Sequence, residues 1–160
     1  LTTNSTETVY ALWNTTACSD SSLASNGTGI GKYYSGEGPG NAFDRNTNTK
    51  YTNSGACASM LVAFRLATAN SYPQRDPLMI TIEGSNSNST ELTRGSSWTL
   101  LYNGSSGIST TQTRLTYGST QWLPTNSTWY ASYRFLVNLA MNNGVSIPTI
   151  QYSEVELFGY

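Results

Sequence analysis

The chain has 160 residues, 38% hydrophobic and only 11% charged, with a net charge of −1, no histidine, four Trp and eleven Tyr. That length makes one domain, able to bury about 70% of its unfolded surface, and the apolar content excludes a disordered chain. The charge balance excludes a basic face for nucleic acid and a polybasic membrane signal. The missing histidine excludes Ser-His-Asp, Cys-His and histidine-containing zinc chemistry.

In chain order, residues 1–17 read as a polar amino-terminal segment and 18–160 as the domain proper. Within the segment, Thr8–Trp13 is β-branched and aromatic, a strand able to pair at a sheet edge, its own or a neighbour's. The start at Leu1, without Met or a signal peptide, fits a processed chain or an excised domain. From Thr15 to Gly40 the chain is rich in Ser, Gly and Asn, a long loop of the kind that is either functional or stapled. Its Tyr33 and Tyr34 are candidates for stacking on a sugar face or for covering the edge of the core. The two cysteines, Cys18 and Cys57, have neither CxxC spacing nor histidine companions and are expected to form a disulfide. Such a bridge would close a loop of about 38 residues and stabilise the fold by roughly 4 kcal/mol.

The stretch Glu37–Tyr51 is broken by Gly38, Pro39 and Gly40 and cannot be helical. Asp44, Asn46, Thr47, Asn48 and Thr49 then crowd hard oxygen donors together, the donor chemistry that Ca2+ takes. The same residues also make an ion-free Asx-rich turn. An EF-hand is excluded, because Thr49 and Gly55 occupy the positions of its glycine and its bidentate Glu and no helices flank the loop.

Strands are expected at Ser59–Leu66, Leu78–Glu83, Ser97–Tyr102, Tyr133–Ala140 and Ile150–Phe158. Asn103-Gly104 reads as the turn that stops the third of these. In the loop Ala67–Pro77, Arg75 and Asp76 are expected to pair locally, with a ligand contact as the alternative. Phe135, Val137 and Leu139 share one face by the period of two. In the last strand Ile150 and Tyr152 have one parity and Val155 and Leu157 the other, so a bulge near Ser153 would re-aim Glu154. Short strands between turns, with no helical periodicity, predict an all-β sandwich or barrel.

The resemblance that narrows this reading is carried by five stretches in one order. They are Asn41-Ala-Phe-Asp44-Arg-Asn46-x-x-Thr49-Lys-Tyr51, Arg75–Asn86, Ser97-Trp98-Thr-Leu-Leu, Tyr133-Arg134-Phe-Leu-Val and Gln151–Gly159. Together they resemble the discoidin-like domains, the F5/8 type C members of the galactose-binding-like superfamily. Arg45 stands where that pattern has glycine, and Tyr51 where it has tryptophan. The resemblance implies a jelly-roll β-sandwich and a structural Ca2+ held by Asp44, Thr49, Glu154 and the carbonyls of Asn41, Asn46 and Ser153. It also implies loops at one end that meet glycans or extracellular protein ligands. Tyr33, Tyr34, Arg75 and Trp122 are the candidate ligand residues, although the histidine of many sugar-binding members is missing.

Six Asn-x-Ser/Thr sequons, at Asn4, Asn14, Asn26, Asn88, Asn103 and Asn126, fall at predicted turns or in the amino-terminal segment and mark an extracellular, secreted glycoprotein. Glu154 and Glu156 are about 7 Å apart if their strand is regular, within the range that glycoside hydrolysis uses. With Glu154 assigned to the ion and no cleft implied, the chain reads as a non-catalytic binding or adhesion module. The alternative is a self-assembling subunit of an extracellular fibril or coat, whose copies would pair through residues 1–17.

Overall fold

The computed structural model describes residues 18–20, 46–48, 60–88, 90–123, 126–141 and 150–160. Among them are six strands: β1 (Leu61–Ala67), β2 (Pro77–Ser85), β3 (Thr99–Ser105), β4 (Gln121–Trp122), β5 (Ser132–Ala140) and β6 (Glu154–Gly159). The only helical pieces among the described residues are the 3-10 turns Pro73–Arg75, Glu91–Thr93 and Gly95–Ser97. None is long and apolar enough to cross a membrane.

The strands form two antiparallel sheets, β4-β1-β6 and β3-β2-β5. Alternation decides what lies between them. Phe64 and Leu66 of β1, Ile80 and Ile82 of β2, Tyr133 and Phe135 of β5, and Val155 and Leu157 of β6 point into one shared core. Phe64 joins the two sheets, meeting Tyr102 edge-on at 5.0 Å and Phe135 edge-on at 6.3 Å. Burying each such side chain contributes about 1.5–3 kcal/mol, so these two inner faces are a main source of the sandwich's stability.

Four expectations change. The Asn103-Gly104 turn does not form: both residues lie inside β3, where Asn103 pairs with Thr81 and Gly104 with Ile80 of β2. Asn103 Oδ1 takes the place of a turn bond by accepting from Thr81 Oγ1 and Asn138 Nδ2, at 3.4 and 3.3 Å. Leu139 leaves the core face of Phe135 and Val137 and is exposed, because the β2–β5 register shifts around Met79. The final strand begins at Glu154 rather than Ile150. The parity change occurs there as a bend at Ser153, with Tyr152 still buried ahead of it.

The fourth change is β4, which sequence patterning does not reveal. Residues 116–123 run along β1 through Thr68 N–H to Thr116 O, Gly118 N–H to Leu66 O and Leu123 N–H to Val62 O. Only Gln121 and Trp122 pair regularly within that run.

Candidate functional site

The corner where β6 begins joins an early loop to the last strand. Ser153 N–H donates to Ala67 O at 2.9 Å, and its hydroxyl donates to Thr68 O at 2.9 Å, fixing the bend before Glu154. Glu154 then turns to the outer face of its sheet, 2% exposed, where Oε1 accepts the Asn46 N–H at 3.2 Å. Asn46 in turn closes an Asx turn, its Oδ1 accepting from Asn48 N–H at 3.0 Å. Asn46, Ser153 and Glu154 are thus brought to one corner; Asn41, Asp44 and Thr49 lie outside the described residues. A buried carboxylate beside an oxygen-rich loop is a donor set that fits a hard cation.

The loop after β1 holds the second cluster. Arg75 does not pair with Asp76; its guanidinium lies 4.2 Å from the centre of the Tyr72 ring. Asp76 is instead clasped by Arg114, which reaches it with both terminal nitrogens and also donates to Ser71 O at 3.2 Å. Planar forks match carboxylates in this way, which is why the distant arginine displaces the adjacent one. Burial pushes the Asp76 carboxyl above its ordinary value, opposed by the hydrogen bond and charge of Arg114. Gln151 ties the loop to the chain before β6, donating its side-chain amide to Ser71 O and its N–H to Arg75 O. At its tip Tyr72 has φ 52 and ψ 67, the left-handed region, and the residue is 52% exposed. Left-handed backbone at a bulky residue costs about 1–2 kcal/mol, and here it leaves an aromatic ring facing water.

Trp122, the other candidate ligand residue within the described chain, is 66% exposed on β4. It pairs with Ala63 in the middle of β1, whereas Tyr72 and Arg75 lie beyond the far end of that strand. At roughly 3.3 Å per residue the two candidates are well over one sugar ring apart. Tyr33 and Tyr34 lie outside the described residues, as do the strand Thr8–Trp13, Cys57 and the sequons at Asn4, Asn14 and Asn26.

Cys18 is exposed and carries no disulfide among the described residues. Asn88 and Asn103 are exposed, and the partly buried Asn126 donates its amide to Leu61 O at 2.7 Å.

Two cross-strand Arg–Glu pairs were not legible in the sequence. On the outer face of β3-β2-β5, Arg134 and Glu83 stand directly opposite each other, 1% and 0% exposed. The described residues over them are Trp98, whose ring lies 4.6 Å from Arg134 Cζ, and Cys18 and Ser19. On the outer face of β4-β1-β6, Arg65 and Glu156 stand opposite and pair at 2.5 Å, their side chains 36% and 25% exposed. Neither pair is local in sequence, so only the strand register reveals them. The signal available was Arg65 and Glu83, charges inside otherwise apolar runs.

No family model matches the sequence, and no curated protein matches it. The fold does have relatives among solved structures. The CBM32-5 module of CpGH89 from Clostridium perfringens, in complex with GalNAc-β-1,3-galactose, aligns with a TM-score of 0.51 at 13% identity, over 77% of this chain and 84% of its own. A fragment of a chitobiase-like protein from Bacteroides thetaiotaomicron aligns with a TM-score of 0.50 at 14% identity, over 78% and 77%. CBM62 from Clostridium thermocellum Xyl5A gives 0.49 at 17% identity, over 74% and 81%. The fold, a jelly-roll β-sandwich as the five stretches led one to expect, is shared with the CBM32-5 module and the chitobiase-like fragment.

Proposed function

We propose that this chain is a non-catalytic glycan-binding module of an extracellular protein, and that its ligand rests on the Tyr72–Arg75 loop. The observation that carries this is the Tyr72 ring, held out in water with the Arg75 guanidinium against it. A tyrosine offers an apolar face for the C–H side of a pyranose, and the guanidinium offers donors to ring hydroxyls. Arg114, Asp76 and Gln151 fix the loop from behind, so little ordering remains to be done when a ligand arrives. Likeness to a fold used by carbohydrate-binding modules supports the same class of ligand. Six sequons in a weakly charged chain support an extracellular setting.

Calcium belongs to this reading as a structural ion, held where Asn46 and Ser153 meet Glu154, with Asn41, Asp44 and Thr49 completing the set. Glu156, one of the two carboxylates of the last strand, is engaged by Arg65. The alternative, a self-assembling fibril or coat subunit, rests on residues 1–17, outside the described chain.

Glycan-array binding followed by titration tests the proposal. Tyr72→Ala and Arg75→Ala should each weaken binding about tenfold or more, equivalent to roughly 1.4 kcal/mol, with the fold intact by circular dichroism. A folded wild-type chain that binds no glycan refutes it.

A further inference from the structure

The outer face of β4-β1-β6 carries a second built surface, away from the Tyr72 loop. Its rows follow from the register. Trp122, Ala63 and Phe158 lie side by side across the three strands, and Arg65 with Glu156 forms the next row. Residues of one row point to the same face, and Phe64, Leu66 and Leu157 of the opposite parity point into the core. Ala63 is itself 0% exposed, so what this row chiefly offers to solvent is Trp122, 66% exposed.

Arg65 is fixed from three directions. Its Nε donates to Glu156 at 2.5 Å, and its Cζ lies 4.2 Å from the Tyr117 ring centre and 5.7 Å from that of Phe158. Its terminal nitrogens have no acceptor among the described residues, and 36% of the side chain faces water. Adjacent rows on one face of a sheet lie about 7–8 Å apart on the diagonal, so the indole and the guanidinium are spaced to hold one sugar ring between them.

We propose that Trp122, Arg65 and Glu156 form a second saccharide-contact surface, which takes an uncharged pyranose unit of a glycan chain. This rests on the glycan-binding reading and extends it to a separate face. The chemistry is specific to that ligand. The indole supplies a stacking plane, the guanidinium a pair of donors for neighbouring hydroxyls, and the carboxylate an acceptor. Arg65 and Glu156 neutralise each other, so the surface favours a neutral sugar over an anionic one. A guanidinium already braced by two rings and a carboxylate loses little freedom on binding, the condition under which hydroxyl recognition is effective.

The test uses the full chain labelled with 15N and four variants: Trp122→Ala, Arg65→Gln, Tyr72→Ala and Trp122→Phe. The last assigns the Trp122 indole signal. GalNAc-β-1,3-galactose, cellohexaose, xylohexaose and a β-1,4-galactan hexasaccharide are titrated against each. Trp122 is exposed and outside the core, so its variants should melt within a few degrees of wild type.

The expected result is a saturable shift of the Trp122 indole signal with at least one hexasaccharide, and about tenfold weaker binding of it by both Trp122→Ala and Arg65→Gln. Binding that Tyr72→Ala abolishes, with an unmoved Trp122 signal, overturns this surface and leaves the first site standing. No saccharide binding by any folded form overturns both. A Trp122→Ala effect confined to sedimentation, with saccharide binding intact, also overturns it and assigns the face to contact between copies of the chain.

Discussion

Replacing Glu83 by Gln keeps the shape of a fully buried side chain and removes its charge. The structure sets the magnitude. Glu83 is the ion-pair partner of Arg134 and also accepts the Cys18 N–H at 2.8 Å through Oε1. The change therefore strands a guanidinium that is 1% exposed, with the Trp98 ring and one bond to Ser19 O at 3.2 Å as its remaining described contacts. Breaking one side of a buried pair costs about 3–5 kcal/mol, which at about 2–4 °C per kcal/mol for a chain of this size lowers Tm by roughly 6–20 °C. Removing both charges together, as Glu83→Met with Arg134→Met, should recover most of that loss. The recovery is incomplete because the Cys18 N–H and Ser19 O still lose partners, at about 1–3 kcal/mol each if they stay buried. Guanidinium chloride unfolding of the wild type, both single variants and the double variant gives the coupling directly. A loss below about 1 kcal/mol for Glu83→Gln, or a double variant no better than the sum of the singles, refutes the claim that this pair holds the outer face.

Three further outcomes follow from the same geometry. Because burial raises Asp76 in the folded state, its stabilising contribution is full below the ordinary carboxylate value and is lost as pH rises through the folded one. The stability of the wild type relative to Asp76→Asn should therefore increase on acidification toward the ordinary value; a relative decrease in denaturant unfolding between pH 7 and 4 would mean that Arg114 outweighs burial. A methyl group on Gly84 would meet Tyr130 Cγ and Cδ2 at 2.6 Å and Leu101 Cδ1 at 3.0 Å. Gly84→Ala should thus lower stability by about 1–3 kcal/mol, and an unchanged or higher Tm by calorimetry contradicts that. Excess Ca2+, at about a hundred times its Kd, should stabilise the wild type by roughly 2.7 kcal/mol. Glu154→Gln should lose this response, and a wild-type Tm indifferent to both Ca2+ and EDTA removes the ion from the reading.

Local pattern made most of the fold legible. Five of the six described strands were readable, because β-branched and apolar residues repeat with the period of two or run together where both faces are covered. β4 was not, since two residues carry no period and its pairing rests on the backbone approach of residues 116–123 to β1. Asn103-Gly104 misled because its turn signal is local, while the Thr81 and Asn138 side chains that satisfy Asn103 come from neighbouring strands. At the sites, the parity change at Ser153 pointed to Glu154 before any register was known. Arg75 was expected to pair with Asp76, and its actual partner was not legible: Tyr72 lies near it in sequence, and only the left-handed turn brings that ring over the guanidinium.

The two outer faces use one motif for opposite ends. In each, an arginine and a glutamate stand directly opposite on adjacent antiparallel strands, and an aromatic ring lies within 5 Å of the guanidinium carbon, Trp98 at 4.6 Å for Arg134 and Tyr117 at 4.2 Å for Arg65. What differs is the cover. Over Arg134 and Glu83 the chain folds back, with Cys18 N–H donating to Glu83, Ser19 O accepting from Arg134 and Asp20 receiving the Gly95 N–H at 2.7 Å. That pair is dry, its energy goes into the fold, and no ligand can reach it. Arg65 and Glu156 keep 36% and 25% of their side chains in water, where an exposed pair stabilises by about 1 kcal/mol or less. Stability alone thus gives little reason to brace Arg65 between two rings and to set an exposed indole beside it. A partner arriving from solvent does.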